Sequence, residues 1–210
     1  MNIGFIGTGS VSQQLSKLFV QAGHSVRLGS RHPAERRENL RDINAETVTY
    51  QEAAEWAEVV ILGIPYDAVT EVVASLRKSL VDKVVIDATN PINADWSPQQ
   101  LGEQHSAGEE VARLLPTSRV VKAFNTVFAD MMEPKGIASV PGGLAGFYCS
   151  DHPSASQTVG GLMREVGFHP IEVGGMTGAR YLEAMAHLNI QLAVGMQRGT
   201  QGAFVYIVAD

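Results

Sequence analysis

The spacing of apolar positions alternates between two periods along the chain. Residues 2–7 form a short apolar run that stops at glycines, and over 13–22 the apolar side chains fall at helical spacing, at Leu15, Leu18 and Phe19. This predicts strand, turn and helix. The alternation continues with a strand at 25–30, a polar helix at 33–41, a short strand at 47–49 and a helix at 51–57. Residues 58–64 and 83–89 are nearly unbroken apolar runs, as expected of strands covered on both faces of a parallel sheet, and a helix at 67–80 lies between them. Strands alternating with helices predict an α/β fold, a doubly wound, mostly parallel Rossmann-type sheet.

Past Asn90-Pro91 the pattern lapses into a polar stretch through Gly108, which reads as an exposed loop, a boundary or a lid. A helix at 106–114, a sixth strand at 119–124, strands at 146–149 and 171–173 and a helix at 154–165 follow. A long amphipathic helix over 178–197 carries Tyr181, Met185, Leu188, Leu192 and Met196, and 204–208 reads as a last edge strand. The 210 residues are expected to form a single domain, with a dinucleotide-binding core at 1–126 and a compact C-terminal helical extension at 127–210 that completes the site.

The loop after the first strand, Gly7-Thr8-Gly9-Ser10-Val11-Ser12, keeps the first two glycines of G-x-G-x-x-G and puts Ser12 in the third place. Between strand and helix, Gly7 would turn tightly, Gly9 would admit a pyrophosphate, and the helix N-terminus would face the anion. The bland alternative is a glycine turn without a ligand. An NAD site places an acid near the end of the second strand, whereas this chain has Ser30-Arg31-His32. Arg31 can hold a 2′-phosphate and stack on adenine, with Arg36 and Arg37 adding charge, which favours NADP over NAD. A solvated basic start to a surface helix is the competing account.

In an open α/β sheet the site lies beyond the carboxyl ends of the strands, here Ile64-Pro65, Thr89-Asn90-Pro91 and Phe124-Asn125-Thr126. This rim offers amides and backbone but no His, Lys or carboxylate. No protein acid or base is therefore expected to be catalytic, and Asn90 and Asn125 are assigned to positioning. The six histidines show no pair at metal spacing, so no metal site is expected.

Composition narrows the partners. Sixteen Lys and Arg against 22 Asp and Glu give a net charge of −6, without the basic excess that nucleic acid demands. No run approaches the ~20 apolar residues of a membrane span. One cysteine, Cys149, and no visible targeting segment suggest a cytoplasmic protein.

Ile6-Gly-Thr-Gly9, Leu28-Gly-Ser-Arg31, Ala88-Thr-Asn-Pro91, Val121-Lys-Ala-Phe-Asn-Thr126 and Gly178-Ala-Arg-Tyr-Leu-Glu183 together resemble the coenzyme F-420-dependent NADP oxidoreductases over nearly the whole chain. That family is in turn similar to the cytosolic reductase domain of six-transmembrane metalloreductases. The resemblance implies NADPH along the first half of the sheet, with its nicotinamide near Ile64, Pro65, Asn90 and Asn125 and a second redox ring against it. Coenzyme F-420, FMN and FAD are the candidate small-molecule acceptors. A carbonyl or imine reductase of related fold and a non-catalytic NADP-binding redox sensor remain alternatives, and the 178–197 helix predicts a homodimer.

Overall fold

The computed structural model describes residues 1–99, 101–102 and 104–208. Its eight strands are β1 (Asn2–Ile6), β2 (Ser25–Ser30), β3 (Glu46–Thr49), β4 (Val59–Leu62), β5 (Val84–Asp87), β6 (Arg119–Ala123), β7 (Leu144–Cys149) and β8 (Phe168–Glu172). They form one sheet in the order β3-β2-β1-β4-β5-β6-β7-β8. Pairing is parallel from β3 to β6, antiparallel between β6 and β7, and parallel again between β7 and β8. The helices are α1 (Ser10–Gln21), α2 (Pro33–Arg36), α3 (Tyr50–Trp56), α4 (Val69–Leu76), α5 (Ala107–Leu114), α6 (Pro134–Ala138), α7 (Pro153–Glu165) and α8 (Ala179–Ile190).

The doubly wound, mostly parallel sheet matches the expectation, and both of its faces are covered. Ile3 and Phe5 of β1, Ile61 of β4 and Ile86 of β5 pack on the face of α1 and α7, while Ile6, Val60, Leu62 and Val85 pack with α3, α4 and α8 on the other. The period of two within each strand thus serves two cores, which is why these runs carry no polar alternation. Phe124, just past β6, joins an edge-to-face series with Phe19 and Phe168 at centroid distances of 6.4 and 5.5 Å.

Four expected elements differ, the first being the helix at 33–41, which ends at Arg36 and is followed by a 3-10 turn, Glu38–Leu40. The helix at 67–80 begins as a 3-10 turn, Tyr66–Ala68, and its α-helical part ends at Leu76. The last long helix changes pitch at Gln191, where a π-helical stretch, Gln191–Gly195, replaces regular turns. Residues 204–208 form no strand: Tyr206, Ile207 and Val208 are exposed, because a β-prone run becomes a strand only where a sheet edge receives it. The polar stretch after Asn90 doubles back on itself through an isolated bridge between Ile92 and Pro98. Gln100 and Glu103 of that stretch lie outside the described residues.

Candidate active site

The carboxyl ends of β1, β2, β4, β5 and β6 converge on one edge of the sheet, as parallel pairing requires. At the β1 end Gly7 has φ +116°, and a Cβ there would fall 2.2 Å from the Gly63 carbonyl oxygen, so only glycine makes this turn. The Gly7 N–H donates to the Gly29 carbonyl at 3.1 Å, fixing the loop to β2. Gly9 is the N-cap of α1 and contributes no side-chain cap, and the first turn holds no acidic residue. The helix therefore presents unpaired N–H groups and an unopposed positive dipole end. A Cβ at Gly9 would meet nothing closer than 3.9 Å, so the backbone faces open space. This is a cradle suited to a pyrophosphate.

Ser12 occupies the position where the motif has its third glycine, and the structure supplies the compensation. Its side chain is buried against Gly63, where an added Cβ would stand 2.1 Å from the Ser12 hydroxyl oxygen. The close helix–strand approach is kept by moving the glycine to the end of the neighbouring strand. At the end of β2, Ser30 is buried and its hydroxyl accepts from the His32 N–H at 3.1 Å, while Arg31, Arg36 and Arg37 are exposed. The open N-terminus of α1 and these cations stand at adjacent strand ends.

A cleft of about 730 Å³ opens beside the loop. Gly9, Ser10, Val11, Ile64, Pro65, Asn90 and Asn125, all singled out from sequence, lie on its wall. Pro91 does not: it is buried, and its carbonyl accepts from His187 Nε2 at 3.1 Å. Gly7, Thr8, Ser30, Arg31 and Arg36 also stand off this wall, at and beyond the ends of β1 and β2. Across the floor, Asn90 Nδ2 donates to the Asn125 carbonyl at 2.8 Å, and Asn125 Nδ2 donates to Asn90 Oδ1 at 3.0 Å and to the Leu182 carbonyl at 3.2 Å. Both donors of Asn125 are used within the protein, and its Oδ1 is buried with no partner. Phe124 immediately before it has φ +63°, a costly conformation for a bulky residue and one that concentrates at functional sites.

The expectation of a rim without carboxylates is corrected. Asp67 and Asp130 lie on the cleft wall together with the Tyr66 phenol. They arrive on 3-10 turns, Tyr66–Ala68 and Ala129–Met132, that carry the chain up from strand ends, and periodicity alone did not place them there. Burial, then the charges of Glu110, Glu183 and Asp87, push the Tyr66 pKa up, so the phenol stays protonated at neutral pH.

Beneath the floor lies a cluster that sequence reasoning missed. Lys122 of β6 is fully buried beside its cross-strand partner Asp87 of β5. Its ammonium lies 2.8 Å from Asp87 Oδ2 and 3.1 Å from Glu183 Oε1, and donates to the Thr89 carbonyl at 2.7 Å. All three donors are thereby engaged. Asp87 Oδ1 accepts from the Thr89 N–H and hydroxyl at 3.0 and 2.7 Å. Glu183 of α8 accepts from the N–H groups of Ala107 and Gly108, at 3.0 and 2.9 Å, at the start of α5. Burial alone would pull the Lys122 pKa down, but the Asp87 and Glu183 carboxylates overcome it and hold the ammonium above its ordinary range. The available signal was a Lys and an Asp in two otherwise apolar, doubly covered strands.

Cys149 is buried, and desolvation pushes its thiol up to about 12. Among the described residues no helix is long and apolar enough to cross a membrane.

Comparison with known proteins agrees with this geometry. Residues 2–91 match the family model described as NADP oxidoreductase, coenzyme F420-dependent. The chain is 33% identical to the F420-dependent NADP reductase of Methanothermobacter thermautotrophicus, covering 92% of this chain and 90% of that protein. It is 30% identical to the rat metalloreductase STEAP3 over 87% of its own length but spans only 36% of that longer protein. A solved structure from Arthrobacter sp. FB24, described provisionally as an F420-dependent NADP reductase, superposes with a TM-score of 0.88 at 25% identity, covering 99% of this chain and all of that one. With 33% identity to the Methanothermobacter thermautotrophicus reductase over 90% of that protein's length, the chain belongs to the family of F420-dependent NADP oxidoreductases.

Proposed function

We propose that the protein passes hydride between NADP(H) and a flavin or deazaflavin ring held in the cleft. The observation that carries this is the shared wall: the open Gly9 backbone at the start of α1 and the interlocked Asn90–Asn125 amides face one space. Gly7, Thr8, Gly9, Ser10 and Val11 would hold the pyrophosphate through backbone N–H groups. Ser30, Arg31 and Arg36 would hold the 2′-phosphate. Ile64, Pro65, Asn90 and Asn125 would flank the nicotinamide, with Pro91 acting behind Asn90 through its contact with His187. The buried, unpartnered Asn125 Oδ1 is the acceptor that a carboxamide N–H₂ would satisfy.

When bound, NADPH would supply a hydride which, with one proton from water, completes the two-electron reduction of a ring acceptor to its dihydro form and leaves NADP⁺. The protein's part is alignment, which by itself contributes several kcal/mol to such a step. No side chain on the floor needs to ionise. Residues 1–126 carry the nucleotide side and part of the acceptor wall, which 127–210 complete. We place the activity in the cytoplasm. A second copy of the chain is the partner that the outer face of α8 would fit, because Tyr181 and Leu188 stand exposed on it, with Met185 half-buried between them against the protein's own core. Light scattering at 22.5 kDa, the monomer mass, would remove the dimer.

The decisive test is NADPH binding followed by an acceptor panel of deazaflavin, FMN, riboflavin and ferric chelates. Reduction of a ring acceptor, with Gly9→Val abolishing binding of both NADPH and NADH, supports the proposal. NADPH bound without any ring reduced favours the sensor, and reduction of imines or carbonyls instead favours the related reductases.

A further inference from the structure

The cleft is electrostatically one-sided. Among the residues on its wall Asp67 and Asp130 are ionisable carboxylates, and no Lys or Arg is present. Among the described residues their hydrogen-bond partners are uncharged. Gln99 Nε2 donates to Asp67 Oδ1 at 2.8 Å, and the Thr200 hydroxyl donates to Asp130 Oδ2. Neither hydrogen bond neutralises the charge. Cations elsewhere in the C-terminal half are engaged or off the wall: Arg180 pairs with Glu109, Arg113 with Glu110, and Lys122 is sealed beneath the floor. Arg198, two residues before Thr200, is exposed and off the wall. The positive end of α1 does reach the cleft, but in the proposed function the dinucleotide pyrophosphate occupies it.

The rest of the wall suits an uncharged aromatic. Ile64, Ile92, Phe128 and Ile190 line it, and Trp96 stands half exposed on it with φ +69°. A flat apolar ring is well received there, because most of its surface leaves water against apolar side chains. A phosphate or carboxylate tail is not: it would meet two like charges and no cation to offset its desolvation.

Resting on the proposed hydride transfer, we infer that the acceptor site selects a flavin or deazaflavin nucleus without an anionic tail, so that riboflavin and its deaza counterpart are preferred over FMN and over polyglutamylated deazaflavin. Riboflavin and FMN share one ring system and differ by a phosphate, which isolates the charge. NADPH oxidation with each gives kcat/KM, and quenching of flavin fluorescence on NADP⁺-saturated protein gives affinity without turnover. At ~20 mM salt the expected preference for riboflavin is about fivefold in both measurements. It narrows to within twofold at ~0.5 M salt, because the two carboxylates are exposed and screened. Asp67→Asn combined with Asp130→Asn should narrow the gap at low salt as well. FMN equal to or better than riboflavin, a preference independent of salt and of both carboxylates, or no flavin binding at all overturns the inference. Failure of the proposed function looks different: riboflavin binds with the expected preference, yet NADPH is not oxidised.

Discussion

Arg31 and Lys122 use positive charge in opposite ways. Arg31 stands exposed just beyond β2 and, among the described residues, makes no salt bridge. Lys122, four strands away in β6, is fully buried with every donor matched by an oxygen of the same chain. A cation whose partners are all internal is committed to architecture. One left in solvent at a strand end is available to a ligand. Charge alone therefore does not distinguish recognition from scaffolding; the location of the counter-charge does.

The contrast breaks most sharply at Lys122. Lys122→Met leaves Asp87 and Glu183 buried without their cation and is expected to cost about 3–5 kcal/mol of stability, since removing one partner of a buried pair leaves an uncompensated charge. Urea unfolding measures this, and a midpoint within error of the parent would show that the cluster carries no stability. Arg31→Ala should leave that midpoint unchanged. It should instead weaken NADPH by tenfold or more, the loss of ~1.5–3 kcal/mol expected for one charge-assisted phosphate contact, with NADH barely affected. Titration of both nucleotides reads the difference, and equal losses would assign Arg31 a structural role.

Asn125→Ala lies between the two. It should lower turnover about tenfold while NADPH affinity changes by no more than threefold, because alignment rather than anchoring is lost. A change in affinity alone would contradict this assignment. The pH response sharpens the same distinction. The Lys122 pKa is raised in the folded state, so its contribution to stability is complete below the unfolded value near ~10.4 and is lost as pH rises through the higher folded value. The raised Tyr66 pKa acts in the same direction. Stability should therefore fall at strongly alkaline pH, while turnover with a ring acceptor stays nearly flat from about pH 6 to 8, a window in which neither group titrates. A single essential ionisation inside that window would implicate a protein acid. The smallest effect is expected at His187. Its hydrogen bond to the Pro91 carbonyl contributes ~1 kcal/mol at most, so His187→Ala should change kcat less than threefold.

How much of this the sequence disclosed follows from the range of the forces involved. The β1–α1 loop and the Ser30-Arg31 strand end are local devices, set by backbone conformation and chain order, and the hydrophobic period announces them. The buried runs of β4 and β5 are equally visible. The Lys122 cluster is not, since it joins β5, β6, α5 and α8 through contacts as distant in sequence as the 76 positions between Ala107 and Glu183. Nor is the reversal between β6 and β7, because strand direction leaves no trace in a period of two. Asp67 and Asp130 reach the cleft through short 3-10 turns that apolar spacing does not resolve. The 204–208 run shows the converse failure, a strong local preference with no neighbour to realise it.

The reversal after β6 also bears on how such a protein can change during evolution. Because β7 and β8 run against the first six strands, their carboxyl ends point to the opposite edge of the sheet from the cleft. Under the proposed hydride transfer, the acceptor side is then supplied by α8 and the surface turns that carry Asp67, Trp96 and Asp130, all on the cleft wall. Such turns tolerate replacement far better than doubly covered strands do. A lineage could exchange one electron acceptor for another by rewriting a few exposed positions, while the nucleotide half and the buried ion cluster stay unchanged.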